Sequence, residues 1–212
     1  MELTQNPSVL ELVQKTAELT TPKEIVWIDG SEAQLESLRK IAVETGELIK
    51  LNEEKLPGCY LNRSDVNDVA RVEGRTFICS RTREEAGPTN NWMDPNEMKA
   101  KLHEILRCAM AGRTMYVIPY SMGVVGSPFA KYGIELTDSI YVVLNMAIMT
   151  RIGTKVLDAL GDSSDVILGV HSKVTLDPEN RYIVHFPEEN KIISVNSNYG
   201  GNVLLGKKCF AL

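Results

Sequence analysis

Short apolar segments alternate with amphipathic segments in the first quarter of the chain, and this alternation constrains the fold more than any other feature. Residues 24–28 form an apolar run that ends at Asp29-Gly30, which predicts a buried strand and a turn. Ser31-Glu-Ala-Gln34 fits a capping box, and the following helix keeps one apolar face as far as Gly46. Because a second strand is predicted at 48–51, we expect an α/β domain, or an α+β domain, with a mixed sheet flanked by helices.

The same patterns predict the remaining elements. Further helices are expected at 7–20, 64–71, 97–110 and 141–152, and further strands at 76–79, 114–120, 181–186 and 191–195. The last two strands are separated by Pro187-Glu-Glu-Asn190, a length typical of a hairpin. The segment 121–128 is rich in glycine and proline, so we expect no regular structure there. These elements are expected to form one domain over residues 1–212.

Composition argues against two classes of protein. The net charge is −5, whereas nucleic-acid binders usually carry a basic face, so no nucleic-acid partner is expected. No stretch approaches the roughly 18 consecutive apolar residues of a membrane-spanning helix, so no membrane partner is expected either. The first residues resemble neither a signal peptide nor a transit peptide, and we therefore expect a cytoplasmic protein.

The cysteines do not indicate a metal site. The four cysteines are Cys59, Cys79, Cys108 and Cys209. They form no C-x-x-C pair, and of the three histidines only His103 lies within ten residues of a cysteine, five residues before Cys108. We therefore expect buried, reduced thiols rather than a zinc site or a disulfide framework.

The last residues carry the densest unusual pattern. Gly201 and Gly206-Lys207 satisfy the spacing of a phosphate-binding P-loop, but position 208 is lysine where that loop needs a hydroxyl for Mg²⁺. The glycine amides and the two lysines could instead bind a small anion. A simple turn before a surface lysine pair is the third interpretation.

Two other positions suit an anionic ligand. Arg71 presents a planar fork that can hold a carboxylate or a phosphate, although from the pattern alone a surface ion pair with a neighbouring acid is the simpler explanation. The loop at 121–128 follows the predicted strand 114–120, and such loops often bind ligands in α/β sheets. Here too, the loop could serve only to turn the chain.

Several blocks resemble, in the same order, those of the GTP-dependent phosphoenolpyruvate carboxykinases. They lie at 113–123, 133–139, 149–154 and 199–212, with a shorter match at 68–73. The block at 199–212 is the most specific of them. The resemblance covers most of the chain from about residue 60 and is thin in 1–55, 84–111 and 162–180.

The resemblance implies both the fold of that family's amino-terminal domain and an activity. It implies a decarboxylating lyase of gluconeogenesis that converts oxaloacetate and GTP to phosphoenolpyruvate, carbon dioxide and GDP, as a monomer. It also implies Mn²⁺ and a second divalent ion that accompanies the GTP. The implied substrate-binding residues are Arg71, Tyr199, Gly200 and Gly201. Lys208 is implied as the Mn²⁺ ligand, and Lys207 as its charged catalytic neighbour.

One departure from the family pattern limits these implications. Family members continue into a nucleotide-binding domain with a P-loop, and with a histidine and an aspartate that bind the metal. None of these matches a position in 1–212. We therefore expect the amino-terminal, substrate-binding portion of a carboxykinase, inactive and without tightly bound metal on its own. The alternative is a stand-alone module that binds a dicarboxylate or a partner protein.

Overall fold

The computed structural model describes residues 2–63 and 72–198. The helices are α1 (Pro7–Thr20), α2 (Glu32–Glu44), α3 (Pro95–Leu106), α4 (Ile140–Met149) and α5 (Thr154–Leu160). The first five strands are β1 (Glu24–Trp27), β2 (Ile49–Lys50), β3 (Tyr60–Leu61), β4 (Thr76–Ile78) and β5 (Thr114–Met122). The others are β6 (Lys131–Thr137), β7 (Arg151–Ile152), β8 (Ile167–Ser172), β9 (Tyr182–Phe186) and β10 (Lys191–Val195).

One large sheet organises these elements. Its strand order is β1-β5-β6-β8-β10-β9-β4, and β7 also pairs with β5. Strands β6, β8 and β10 are parallel neighbours, flanked by the antiparallel strands β5 and β9. The outer strands β1 and β4 run parallel to β5 and β9 respectively. The predicted α/β domain with a mixed sheet is confirmed, and the carboxyl ends of β6, β8 and β10 meet at one edge.

Apolar side chains cover both faces of this sheet. Successive residues of β5 point to opposite faces, so Met115 and Val117 join one core cluster while Tyr116 and Ile118 join another. Helices α1, α3 and α5 contribute to the first cluster, and α2 and α4 to the second. Full burial of each large apolar side chain contributes about 1.5–3 kcal/mol, so these two clusters stabilise the fold.

The start of α2 follows the predicted capping box only in part. Ser31 Oγ accepts a hydrogen bond from the backbone N–H of Gln34 over 3.2 Å, as predicted. The Gln34 side chain does not return to Ser31. It accepts from the N–H of Asp29 over 2.9 Å and donates to the carbonyl of Trp27 over 2.8 Å. Asp29 takes the place of Gln34 by accepting from the N–H of Ser31 over 2.7 Å.

Two predicted helices have different bounds in the structure. The helix predicted at 97–110 begins at Pro95, because Asp94 Oδ1 accepts from the backbone N–H groups of the first turn, and it ends at Leu106. The helix predicted at 141–152 ends at Met149, where the Thr150 hydroxyl donates to the Met146 carbonyl over 2.7 Å. Strand β7 then takes up the last residues of that prediction.

The strand predictions were correct in part. The hairpin of β9 and β10 is confirmed, with Asn190 in the left-handed conformation at φ 47°. The strand predicted at 48–51 pairs with β3 in a separate two-stranded sheet. Strand β5 extends to Met122, two residues into the segment that was expected to be irregular. The helix predicted at 64–71 lies outside the described residues.

The predicted burial of the cysteine side chains is confirmed at Cys79 and wrong at Cys59 and Cys108. Cys79 is buried, whereas Cys59 and Cys108 are exposed free thiols, and Cys209 lies outside the described residues. Within 2–63 and 72–198, no helix is long and apolar enough to cross a membrane.

Candidate functional site

An open cleft lies at the carboxyl edge of β6, β8 and β10. Its volume is about 670 Å³. The charged and amide side chains in its wall are Glu47, Arg63, Arg113, Asp138, Lys173 and Asn198. In open α/β sheets, ligands bind outside the carboxyl ends of parallel strands, because the loops that follow the strands converge there. This edge is therefore the candidate functional site.

Asp138, directly after β6, is a buried carboxylate in the cleft wall that accepts hydrogen bonds from several neighbours. Its side chain has 0% exposure. Oδ2 accepts from Arg113 Nη1 over 2.7 Å and from the Ser172 hydroxyl over 3.0 Å, and Oδ1 accepts from the N–H of Lys173 over 2.8 Å. Arg113 also donates to the Val174 carbonyl over 2.7 Å. Buried charges need such partners, and these partners tie the start of β5 to the ends of β6 and β8.

The balance of charge in the cleft favours an anion. Among the residues that the structure describes, the wall contains three cationic side chains, Arg63, Arg113 and Lys173, and two carboxylates, Glu47 and Asp138. Lys173 Nζ lies 3.7 Å from Glu47 Oε1, a weaker contact than the one of 2.7 Å between Arg113 Nη1 and Oδ2 of the buried Asp138. Three positive charges against two negative charges leave an excess of one positive charge, which attracts a carboxylate or a phosphate.

A buried histidine adjoins Asp138 at the same edge. His171 Nδ1 lies 2.6 Å from Thr137 Oγ1, and His171 Nε2 lies 2.5 Å from the carbonyl oxygen of Ser197. Burial lowers the pKa of His171 to about 4, although the negative charge of Asp138 acts in the opposite direction. The ring is therefore neutral at neutral pH and joins the end of β6 to the chain that follows β10.

The residues predicted to bind substrate and metal lie outside the described part of the chain. They are Arg71, Tyr199, Gly200, Gly201, Lys207 and Lys208. Their roles therefore stay predictions, as does the expected convergence of Arg71 with the glycines after β10. The described residues Arg63 and Asn198, which directly precede the segments 64–71 and 199–212, both line the cleft.

One predicted ligand site, the loop at 121–128, does not lie at the cleft, whereas two residues at the cleft edge, Asp138 and His171, were not predicted as site residues. The loop at 121–128 lies at the opposite edge of the sheet, because β5 runs antiparallel to β6 and Met122 pairs with Lys131. The side chains of Asp138 and His171 had not been singled out. A polar triplet directly after a strand, Thr137-Asp138-Ser139, is the signal that could have indicated this edge.

Comparison with known proteins gives consistent matches. A family model described as "Phosphoenolpyruvate carboxykinase N-terminal domain" matches residues 11–212. Curated relatives named phosphoenolpyruvate carboxykinase [GTP] include one from Anaeromyxobacter dehalogenans (strain 2CP-C), 54% identical over 99% of this chain and 35% of the relative. One from Neocallimastix frontalis is 51% identical over 98% of this chain and 36% of the relative. One from Chlamydia pneumoniae is 47% identical over 94% of this chain and 35% of the relative. The chain thus spans about a third of the length of these relatives.

Proposed function

The chain belongs to the family of phosphoenolpyruvate carboxykinase N-terminal domains, and we propose that it forms the substrate-binding part of a GTP-dependent phosphoenolpyruvate carboxykinase. The proposed reaction converts oxaloacetate and GTP to phosphoenolpyruvate, carbon dioxide and GDP. The observation that supports it most is the cleft at the carboxyl edge of the sheet. Arg63 and Asn198 line this cleft; Tyr199 follows Asn198 directly in the sequence, and Arg71 lies eight residues after Arg63.

The chemistry of these residues suits a small dicarboxylate. We propose that Arg71 holds a carboxylate of oxaloacetate through two parallel hydrogen bonds, as its planar guanidinium allows. We propose that Tyr199, Gly200 and Gly201 also bind the substrate, since glycines let backbone N–H groups approach an anion closely. The excess positive charge of the cleft then attracts the dianion before these contacts form.

The metal site is a separate part of the proposal. In 2–63 and 72–198, no group of three or more histidine, cysteine or acidic side chains could hold a metal ion. The described residues therefore do not fit a Mn²⁺ site. We propose Lys208 as the contribution of this chain, with the other ligands in the part of the relatives that the chain does not match. A lysine binds a metal only when neutral, and the positive charge of Lys207 favours that form.

A bound divalent ion would supply positive charge for the enolate oxygen that forms on decarboxylation. The groups of this chain would bind the dicarboxylate and hold it in one orientation, which phosphoryl transfer requires above all. We further propose that GTP and its own divalent ion bind outside this chain, and that the protein is a cytoplasmic monomer.

The test is a steady-state assay of the protein expressed from its whole gene, with oxaloacetate, GTP and Mn²⁺. Arg71→Ala should raise KM for oxaloacetate by about 10- to 100-fold, because a charged hydrogen-bonded contact contributes about 1.5–3 kcal/mol. Arg75→Ala is the matched control. Arg75 bonds to the Tyr182 hydroxyl over 2.9 Å and to Glu179 over 3.3 Å. None of these three residues is among the described residues that line the cleft. Equal KM values in both variants would contradict the assignment of Arg71.

The chain of 212 residues, expressed alone, tests the proposal that it binds substrate but lacks the nucleotide site and most of the metal ligands. We expect no turnover above a blank that contains only metal, and weak Mn²⁺ binding by calorimetry. Turnover by this chain, or micromolar Mn²⁺ binding that Lys208→Ala abolishes, would contradict the proposal. A third outcome is that the protein expressed from its whole gene shows no turnover while a dicarboxylate binds tightly. That outcome would favour a stand-alone binding module.

A further inference from the structure

The hydrogen-bond partners of His171 decide which tautomer the ring adopts. Nε2 lies 2.5 Å from the Ser197 carbonyl oxygen, which can only accept a hydrogen bond. Nε2 therefore carries the hydrogen. In the neutral ring Nδ1 is then an acceptor, so the Thr137 hydroxyl, 2.6 Å away, donates to it.

The surroundings of Thr137 agree with this direction of donation. The backbone N–H of Ser139 donates to Thr137 Oγ1 over 3.1 Å, so that oxygen already accepts and its hydrogen can point at His171. Within the described part of the chain, Asp138 and Lys173 are charged groups that act on the ring, and they act in opposite directions. The row of hydrogen bonds therefore runs one way, from the Ser139 N–H through Thr137 and His171 to a backbone carbonyl.

That carbonyl belongs to the chain just after β10. Asn196 has a φ of 60°, so the backbone leaves the direction of the strand at this residue. The next residue, Ser197, is bonded to His171, and the Asn198 side chain accepts from the Ser139 hydroxyl over 2.7 Å. Both anchors come from the carboxyl edge of the sheet, and they hold the two residues that precede the predicted substrate-binding sequence.

We propose that His171 is a positioning residue of the cleft: by donating to the Ser197 carbonyl, it fixes the backbone at Asn198, from which Tyr199 and Gly200 continue. This inference rests on the proposed function. His171 acts through the backbone and does not touch the substrate. Without its N–H, the buried Ser197 carbonyl loses a partner, and a buried carbonyl then shifts toward another donor. Asn198 in the cleft wall moves with it.

The experiment compares two amide substitutions in the protein expressed from its whole gene. The short side chain in His171→Asn reaches the position of Nδ1 but not Ser197, whereas the amide nitrogen in His171→Gln can take the position of Nε2. We expect His171→Asn to raise KM for oxaloacetate about 10-fold, as the loss of one buried hydrogen-bond partner allows. KM for GTP should change by less than about twofold, and His171→Gln should restore most of the affinity for oxaloacetate.

His185→Asn is the matched control. His185 is a half-buried histidine whose pKa burial also lowers, but it lies on β9, opposite Ile192 of β10. This variant should leave both KM values unchanged. An unchanged KM for oxaloacetate in His171→Asn, or an equal rise in both KM values, would overturn the proposal, since the second result indicates general structural damage.

A second measurement decides the matter if His171→Asn does not fold. The imidazole ¹⁵N spectrum of the parent protein should show the Nε2–H tautomer, still neutral at about pH 5, well below the ordinary histidine pKa of about 6.5. The opposite tautomer, or titration near the ordinary pKa, would overturn the proposal. A parent protein with no turnover would instead contradict the proposed function, and the ¹⁵N spectrum would still test the geometry of His171.

Discussion

The carboxyl group of Glu135 occupies the space that a side chain at position 169 would fill. Glu135 on β6 pairs with Gly169 on β8, and a Cβ atom at position 169 would overlap with Glu135 Oε2. The glycine is therefore required by its neighbour and not by a turn. Burial raises the pKa of Glu135 to about 8, because the charged form loses its hydration inside the protein.

Gly169→Ala should destabilise the fold. The added methyl group must displace the Glu135 carboxyl group in a packed sheet, and such overpacking costs about 1–3 kcal/mol. The measurement is the free energy of unfolding by denaturant. Gly74→Ala is the control, because a Cβ atom at position 74 meets no atom of the described residues within 4 Å. An equal, small effect of both substitutions would show that the Glu135 side chain moves aside at little cost.

Glu135→Gln should change how stability depends on pH. The carboxyl group titrates near 4.5 as a free group and near 8 in the fold. Between these values the native state keeps a proton that the unfolded state has lost, so the free energy of unfolding falls as pH rises, by about 1.4 kcal/mol per pH unit. The glutamine variant lacks this slope. Unfolding curves of the two proteins at several pH values should diverge up to pH 8, and parallel curves would mean that Glu135 is ionised in the fold.

His171 should have the opposite effect at acid pH. Its ring titrates near 6.5 as a free group and near 4 in the fold. As pH falls through this interval, the unfolded state binds a proton at this ring and the native state does not. The free energy of unfolding therefore falls by about 1.4 kcal/mol for each unit of acidification. His171→Gln should remove this slope, measured as the difference from the parent protein at each pH. A difference that does not vary with pH would contradict the buried neutral ring.

Local sequence predicted the elements whose apolar residues follow a clear period. α1, β1 and β5 fall into this group, and so does the hairpin of β9 and β10. Strands β6 and β8 were missed. β6 contains Glu135 and Gly133, which do not match the pattern of a buried strand, and β8 contains Gly169. The reason for the two glycines is found in the paired strands, because Gly133 leaves room for the Tyr120 ring and Gly169 leaves room for the Glu135 carboxyl group.

The candidate site depended still more on long-range pairing. The sequence indicated an anion site after β10 and an arginine at position 71 through a family resemblance, and the family is confirmed. The described cleft could not be predicted in the same way. Asp138 is bonded to Arg113 and Ser172, which lie 25 and 34 residues away in sequence. Their meeting follows from the strand order, which no local pattern contains.

Asp138→Asn should be among the most destabilising conservative substitutions at the cleft. Both carboxylate oxygens accept hydrogen bonds, Oδ2 from Arg113 and Ser172 and Oδ1 from the N–H of Lys173. An amide has only one oxygen, so in either orientation its NH₂ group faces a donor. Removing one partner of a fully buried ion pair costs about 3–5 kcal/mol. Arg113 is 39% exposed and keeps part of its hydration, so we expect a smaller loss of about 1–3 kcal/mol here.

Asp165→Asn is the control for this loss of charge. Asp165 Oδ2 lies 3.7 Å from Lys131 Nζ, and its side chain is 74% exposed. Exposed pairs of this kind contribute little to stability, so the free energy of unfolding should barely change. A double-mutant cycle with Arg113→Met then isolates the contribution of the ion pair from that of the other two donors. If Asp138→Asn destabilises no more than Asp165→Asn, the carboxylate is not the centre that ties β5, β6 and β8 together at the cleft.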